Sequence, residues 1–152
     1  MDRTMSANVA GMAGALAMMG FMMLSQKMGF TYGDPLPQQT VDAALEAVHK
    51  DAAVTEEQEE AIGMGVHLGF SMSSAMLYSR LRQYISLPGP VAGALFGLGL
   101  WGVSVAGVAS TLGIQSAPWK QEEEKAITVV LAHLLFGVVV GFLYDQLVPQ
   151  ES

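Results

Sequence analysis

The chain has 152 residues, of which 51% are hydrophobic and only 14% charged, a balance that fits a chain solvated by lipid better than a soluble domain of this size. A net charge of -7 with no basic patch leaves nothing to neutralise phosphates and excludes nucleic acid as a partner. With no cysteine, neither a disulfide framework nor a thiolate metal site is available.

Four stretches free of Asp, Glu, Lys and Arg are long enough to span a hydrocarbon core of about 30 Å, which takes about 20 helical residues. Lipid offers no partner to an unpaired backbone group, so the spans are predicted to be helices. The first is predicted over about 6–28. Eight of the eleven methionines fall in the first 28 residues, and Met18, Met19, Met22 and Met23 give two i, i+4 pairs. Thioethers ligate Cu(I), but Met is also a flexible apolar filler. Nothing adds histidine or cysteine nearby, so core packing or lipid contact is the expected role.

After a turn at Gly33-Asp34-Pro35-Leu36-Pro37, the apolar residues Val41, Ala44, Leu45, Val48 and Ala52 recur at helical spacing. They predict a short amphipathic helix over about 38–51, acidic on its outer face and packed on the protein's own membrane-edge surface. His49 within it is read as solvated. The second span is predicted over about 56–83. Thr55 and Gln58 fit a capping box, and Glu56 and Glu57 suit the positive end of a helix.

Leu87-Pro88-Gly89-Pro90 is a tight punctuated link, which predicts that the second and third spans are antiparallel neighbours. The third span is placed at about 88–112. Pro118 suits a helical first turn and Glu122 to Glu124 its water-exposed start, which places the fourth span at about 118–147. Trp119, Tyr32, Tyr78, Tyr84 and Tyr144 fit interfacial anchoring, and Trp101 reads as buried. Asp34 and Asp145 are edge acids with no evident catalytic partner.

A pattern in the second span returns in the fourth. His67-Leu68-x-Phe70 and Leu77-Tyr78-x-x-Leu81 recur 66 residues later as His133-Leu134-x-Phe136 and Leu143-Tyr144-x-x-Leu147. Glu56-Glu57 and Glu122-Glu123 precede the two copies at the same distance. The chain therefore reads as a single domain, 1–152: an all-α membrane protein, a four-transmembrane-helix bundle built from two duplicated helical hairpins, with the amphipathic helix inserted between spans one and two. Parallel repeats place the second and fourth spans in the same direction.

His67 is followed at four-residue intervals by Ser71, Ala75 and Ser79, and His133 by Gly137, Gly141 and Asp145. Such small-residue faces point into a bundle rather than to lipid. Each histidine lies about 10 Å inside its apolar stretch, at 1.5 Å per residue. The pair is the candidate functional site, with inter-helical polar contact as its plainest role, and a haem, a metal or a shared proton as the alternatives. Gly65, Gly69, Gly93, Gly97, Gly137 and Gly141, each in a four-residue series of small residues, are expected to let helices pack closely.

Arg3, Arg80 and Arg82 on one side nearly balance Lys27, Lys50, Lys120 and Lys125 on the other. The very short loop after Arg80 and Arg82 favours both termini on the cytoplasmic side. No hydrolase elbow, phosphate loop, zinc-protease motif or dinucleotide fingerprint occurs, so no enzyme and no catalytic residue is expected.

Asp34-Pro35-x-Pro37 after the first span, His67-Leu68-Gly69-Phe70, Gly97-x-Gly99-x-Trp101 and His133-x-x-Phe136-Gly137 resemble the YagU-type family of small bacterial inner-membrane proteins. That resemblance implies four spans and a place in the bacterial inner membrane. The family's activity is undefined, so it implies no reaction. The leading expectation is a non-enzymatic interaction or accessory subunit without a cofactor, whose partners are the lipid bilayer and other membrane subunits or itself. A bis-histidine haem b or metal redox module, or a small pH-responsive transporter or channel using His67 and His133, remain the alternatives.

Overall fold

The computed structural model describes residues 1–30, 36–47 and 54–148. Among them are five α-helices and no strand: α1 (Arg3–Lys27), α2 (Leu36–Ala47), α3 (Glu56–Arg82), α4 (Gly89–Trp101) and α5 (Glu123–Leu147). α4 continues into a π-helical segment, Gly102–Ala109. Three runs, Arg3–Lys27, Gly89–Ala109 and Glu123–Leu147, are long and apolar enough to cross a membrane. α3 is as long as these, but His67 and four serines interrupt its apolar run.

The helix ends follow local chemistry. Asp2 caps α1, accepting from the Met5 amide at 2.8 Å, and Gly29 leaves the helix at a φ of 96°. Thr55 and Gln58 make the reciprocal capping box at the start of α3. Glu56, Glu57 and Glu59 in the first turn and Arg80 and Arg82 in the last complement the helix dipole at both ends.

Two expected spans change shape. The third helix loosens after Trp101 because glycines allow a wide turn and hydroxyls take up carbonyls: Ser110 bonds Val105 five residues back, and Ser104 bonds Leu100 at 2.6 Å. The fourth begins at Glu123 rather than Pro118. Pro118–Lys120 form only a 3-10 turn, because Gln121 is extended and its side chain turns back to the Ser116 carbonyl. Of the amphipathic helix, the part beyond Ala47, with His49, lies outside the described residues, as do Tyr32 and Asp34.

The helices pack in the order α3, α1, α5, α4, with α2 resting on α3. The second and third spans are thus not close neighbours along their length, despite the short link. α4 instead lies along α5, because the two backbones interlock. A Cβ added to Gly93 would collide with the Gly137 backbone, one on Gly97 with the His133 carbonyl, and one on Gly141 with Gly89. These three pairings make α4 and α5 antiparallel. Gly11 against Ser71 and Ala75 sets α1 close to α3, though less tightly than α4 to α5, and Gly14 against Phe136 and Val140 sets it close to α5.

At the centre lie Ala7, Ala10, Ala75, Tyr78, Ala92, Phe136, Val140 and Tyr144. Alanine and glycine bring backbones together and so supply the dispersion contacts that hold helices in lipid, where tails are as apolar as the core. The outward surface carries large apolar side chains such as Leu16, Leu24, Leu95, Val103 and Phe142.

Candidate functional site

His67 on α3 and His133 on α5 lie on two helices that pack on either side of α1. Their helices run parallel: Tyr78 meets Tyr144 with ring centroids 5.9 Å apart, and Arg82 bonds Asp145. His133 is buried and His67 half-buried.

The His133 ring is oriented by a backbone carbonyl. His133, 8% exposed, donates from Nδ1 to the Val129 carbonyl at 2.8 Å. That bond fixes the tautomer and leaves the Nε2 lone pair available. The His67 ring is half-buried, and its buried Nε2 has no hydrogen-bond partner. A buried polar atom left unpaired in this way is unfavourable unless something binds it. Among the described residues no group of three or more His, Cys, Asp or Glu gathers here or elsewhere to hold a metal ion.

A second polar cluster closes the other end of the bundle. Arg82 holds both carboxylate oxygens of Asp145, at 2.9 and 2.7 Å, and its third nitrogen bonds the Ile85 carbonyl. Asp145 is thus the anchor between α3 and α5. Tyr78 and Tyr144, expected at the interface, are buried. The Tyr78 hydroxyl donates to the Gly89 carbonyl at 3.3 Å, and its ring meets Phe96 edge-on at 5.3 Å. Tyr84 and Trp119 are exposed as interfacial anchors require. Trp101 is half-buried, with its indole nitrogen buried and unpaired.

The expected packing glycines divide. Gly93, Gly97, Gly137 and Gly141 form the α4–α5 contact, whereas Gly65 and Gly69 are exposed with nothing within 4 Å of a built Cβ. The reason is angular. The series through Gly65 and Gly69 is two positions from the series through His67, Ser71 and Ala75, about 200° around the helix. Both cannot face inward, and the buried residues Ser71, Ser74, Ala75 and Tyr78 show which does.

The chain belongs to the family described as "Protein of unknown function (DUF1440)", whose model matches residues 34–142. No curated protein and no solved structure matches it.

Proposed function

We propose that this chain is a four-span protein of the bacterial inner membrane, with both termini cytoplasmic, that acts as a non-enzymatic interaction subunit through the outer face of α3. In this reading α3 is the fourth span, and α1–α3 and α4–α5 are the two related hairpins. The equivalent residues Tyr78 and Tyr144 meeting in space support that relation.

The observation that carries the reading is the open small-residue face at Gly65, Gly69 and Ser73. It is exposed on the end helix of the row and flanked by exposed Phe70 and Leu77. Such a face lets another helix approach to backbone contact, as the buried glycines of α4 and α5 do within the chain. The partner is a second copy or another membrane subunit. Because the chain lacks cysteine, a Gly69→Cys variant tests this directly. In native membranes it is expected to form a disulfide-linked dimer, or Gly69→Leu is expected to release a stoichiometric co-purifying membrane subunit. A Gly69→Cys chain that stays uncrosslinked, from a protein that purifies as a lone monomer in mild detergent, would refute the reading.

A further inference from the structure

Inside each hairpin, residues at matching places make matching contacts. Gly93 stands 82 residues after Gly11, and Gly137 and Gly141 stand 66 after Ser71 and Ala75. Gly11 meets Ser71 and Ala75 in the first hairpin, and Gly93 meets Gly137 and Gly141 in the second. Between the hairpins this equivalence breaks. α1 lies along α5, with Gly14 against Phe136 and Val140, whereas α3 and α4 meet at few points. The same offsets make Phe96 on α4 the counterpart of Gly14, and Phe70 and Ser74 on α3 the counterparts of Phe136 and Val140. Phe136 is 2% exposed and Phe70 is 48% exposed, so the second contact between hairpins is left unmade.

Two features keep it open. Where α1 has a glycine, α4 has Phe96, whose ring turns to Tyr78 near the link. There the Gly89 carbonyl and the Arg82–Asp145 pair fasten α3 to the second hairpin. The other feature is α2. Gly63, Phe70 and Ser74 share one side of α3, being seven and eleven residues apart. On that side Gly63 is buried against the backbone of Gln38 in α2. The far end of α2, at Ala43, Glu46 and Ala47, faces Leu112, Gly113 and Ile114 beyond the third span, across a cavity of about 330 Å³. α2 thus sits on the side of α3 that would otherwise receive the third span.

We propose that α2 is a removable wedge. Seated, it props the third span away from α3; lifted, it lets the third span close on α3 as α1 lies on α5, bringing Phe96 to Phe70. Its seat is close at Gln38 but loose at the cavity, and the Asp42 Oδ1 is buried in it without a hydrogen-bond partner, which works against seating. The third span is built to bend, being π-helical from Gly102 to Ala109. This device rests on the hairpin relation of the preceding reading but not on its partner, whose docking face at Gly65, Gly69 and Ser73 lies on another side of α3.

A Cβ added to Gly63 would lie 3.8 Å from that of Gln38, within reach of a disulfide. In native membranes under a mild oxidant, Gln38→Cys/Gly63→Cys is expected to close within one chain, at monomer mass, and so to mark α2 as seated. Phe70→Cys/Phe96→Cys reports the closed state and is expected to close slowly. Adding Val41→Asp, which charges a buried residue of α2, is expected to speed this second pair about tenfold or more. Adding Asp42→Leu, which removes the unpaired carboxylate, is expected to slow it about tenfold. Because Asp42→Leu strengthens the seat, slower closure in that variant is not an effect of unfolding. The wedge is overturned if the Gln38→Cys/Gly63→Cys pair stays open, if Val41→Asp does not speed the second pair, or if Asp42→Leu leaves its rate unchanged. The Gly69→Cys dimer is read at twice the monomer mass, so either proposal can fail without the other.

Discussion

Asp145 sits in the last turns of α5, and the guanidinium of Arg82 reaches it from 63 residues away. Their side chains are only 20% and 30% exposed, and two parallel hydrogen bonds fix the geometry. Removing the charge while keeping the shape, as in Asp145→Asn, leaves Arg82 with a weaker acceptor beside lipid. It is expected to lower stability by about 1.5–3 kcal/mol, read as a drop in the unfolding midpoint in detergent. Tyr78→Phe loses one long hydrogen bond while keeping both ring contacts, so it is expected to cost at most about 1.5 kcal/mol; a larger loss would show that the hydroxyl has a role beyond the Gly89 carbonyl. Local sequence could not foresee either role. An Asp near a helix end and a Tyr near an interface read the same whether they face water or a neighbour, and only helix rotation separates the two.

At the scale of the element, the glycines carry opposite predictions although they look alike as four-residue series. Gly93→Ala would drive a methyl into the Gly137 backbone, which cannot retreat without parting α4 from α5. It is expected to destabilise by about 1–3 kcal/mol. Gly65→Ala meets open space and gains helix propensity, so the isolated chain should be unchanged or more stable by up to about 1 kcal/mol. Thermal melts of the two variants side by side check both; equal destabilisation would contradict the described rotation of α3. The start of α3 was legible because Thr55, Gln58 and the glutamates act within one turn. The π-helical stretch and the late start of α5 were not. They depend on hydroxyls bonding carbonyls four or five residues back and on Gln121 folding against Ser116, competitions that periodicity does not register.

For the whole molecule, the four-span reading makes a prediction about sides. With both termini cytoplasmic, the link after α3 faces inward and the 3-10 turn before α5 faces outward. Tyr84 and Trp119 are both exposed, and the chain has no cysteine to confuse labelling. In intact bacteria a membrane-impermeant maleimide is expected to modify Trp119→Cys and to spare Tyr84→Cys until the cells are opened. Labelling of both would break the four-span arrangement, and the reverse pattern would invert it. Composition and apolar length alone determined that the chain is helical and suited to lipid, because solvent choice is a sum over residues. Spacing put His67 with Ser71 and Ala75 on one side of its helix and Gly65 with Gly69 on another, because four-residue intervals fix one side of a helix whatever it packs against. The tertiary structure decided the order α3, α1, α5, α4, the bond between Arg82 and Asp145, and the outward turn of Gly65 and Gly69. Each of these depends on which helix lies beside which and at what rotation. In an apolar solvent that choice is made by close fit between distant glycines, which no local pattern encodes.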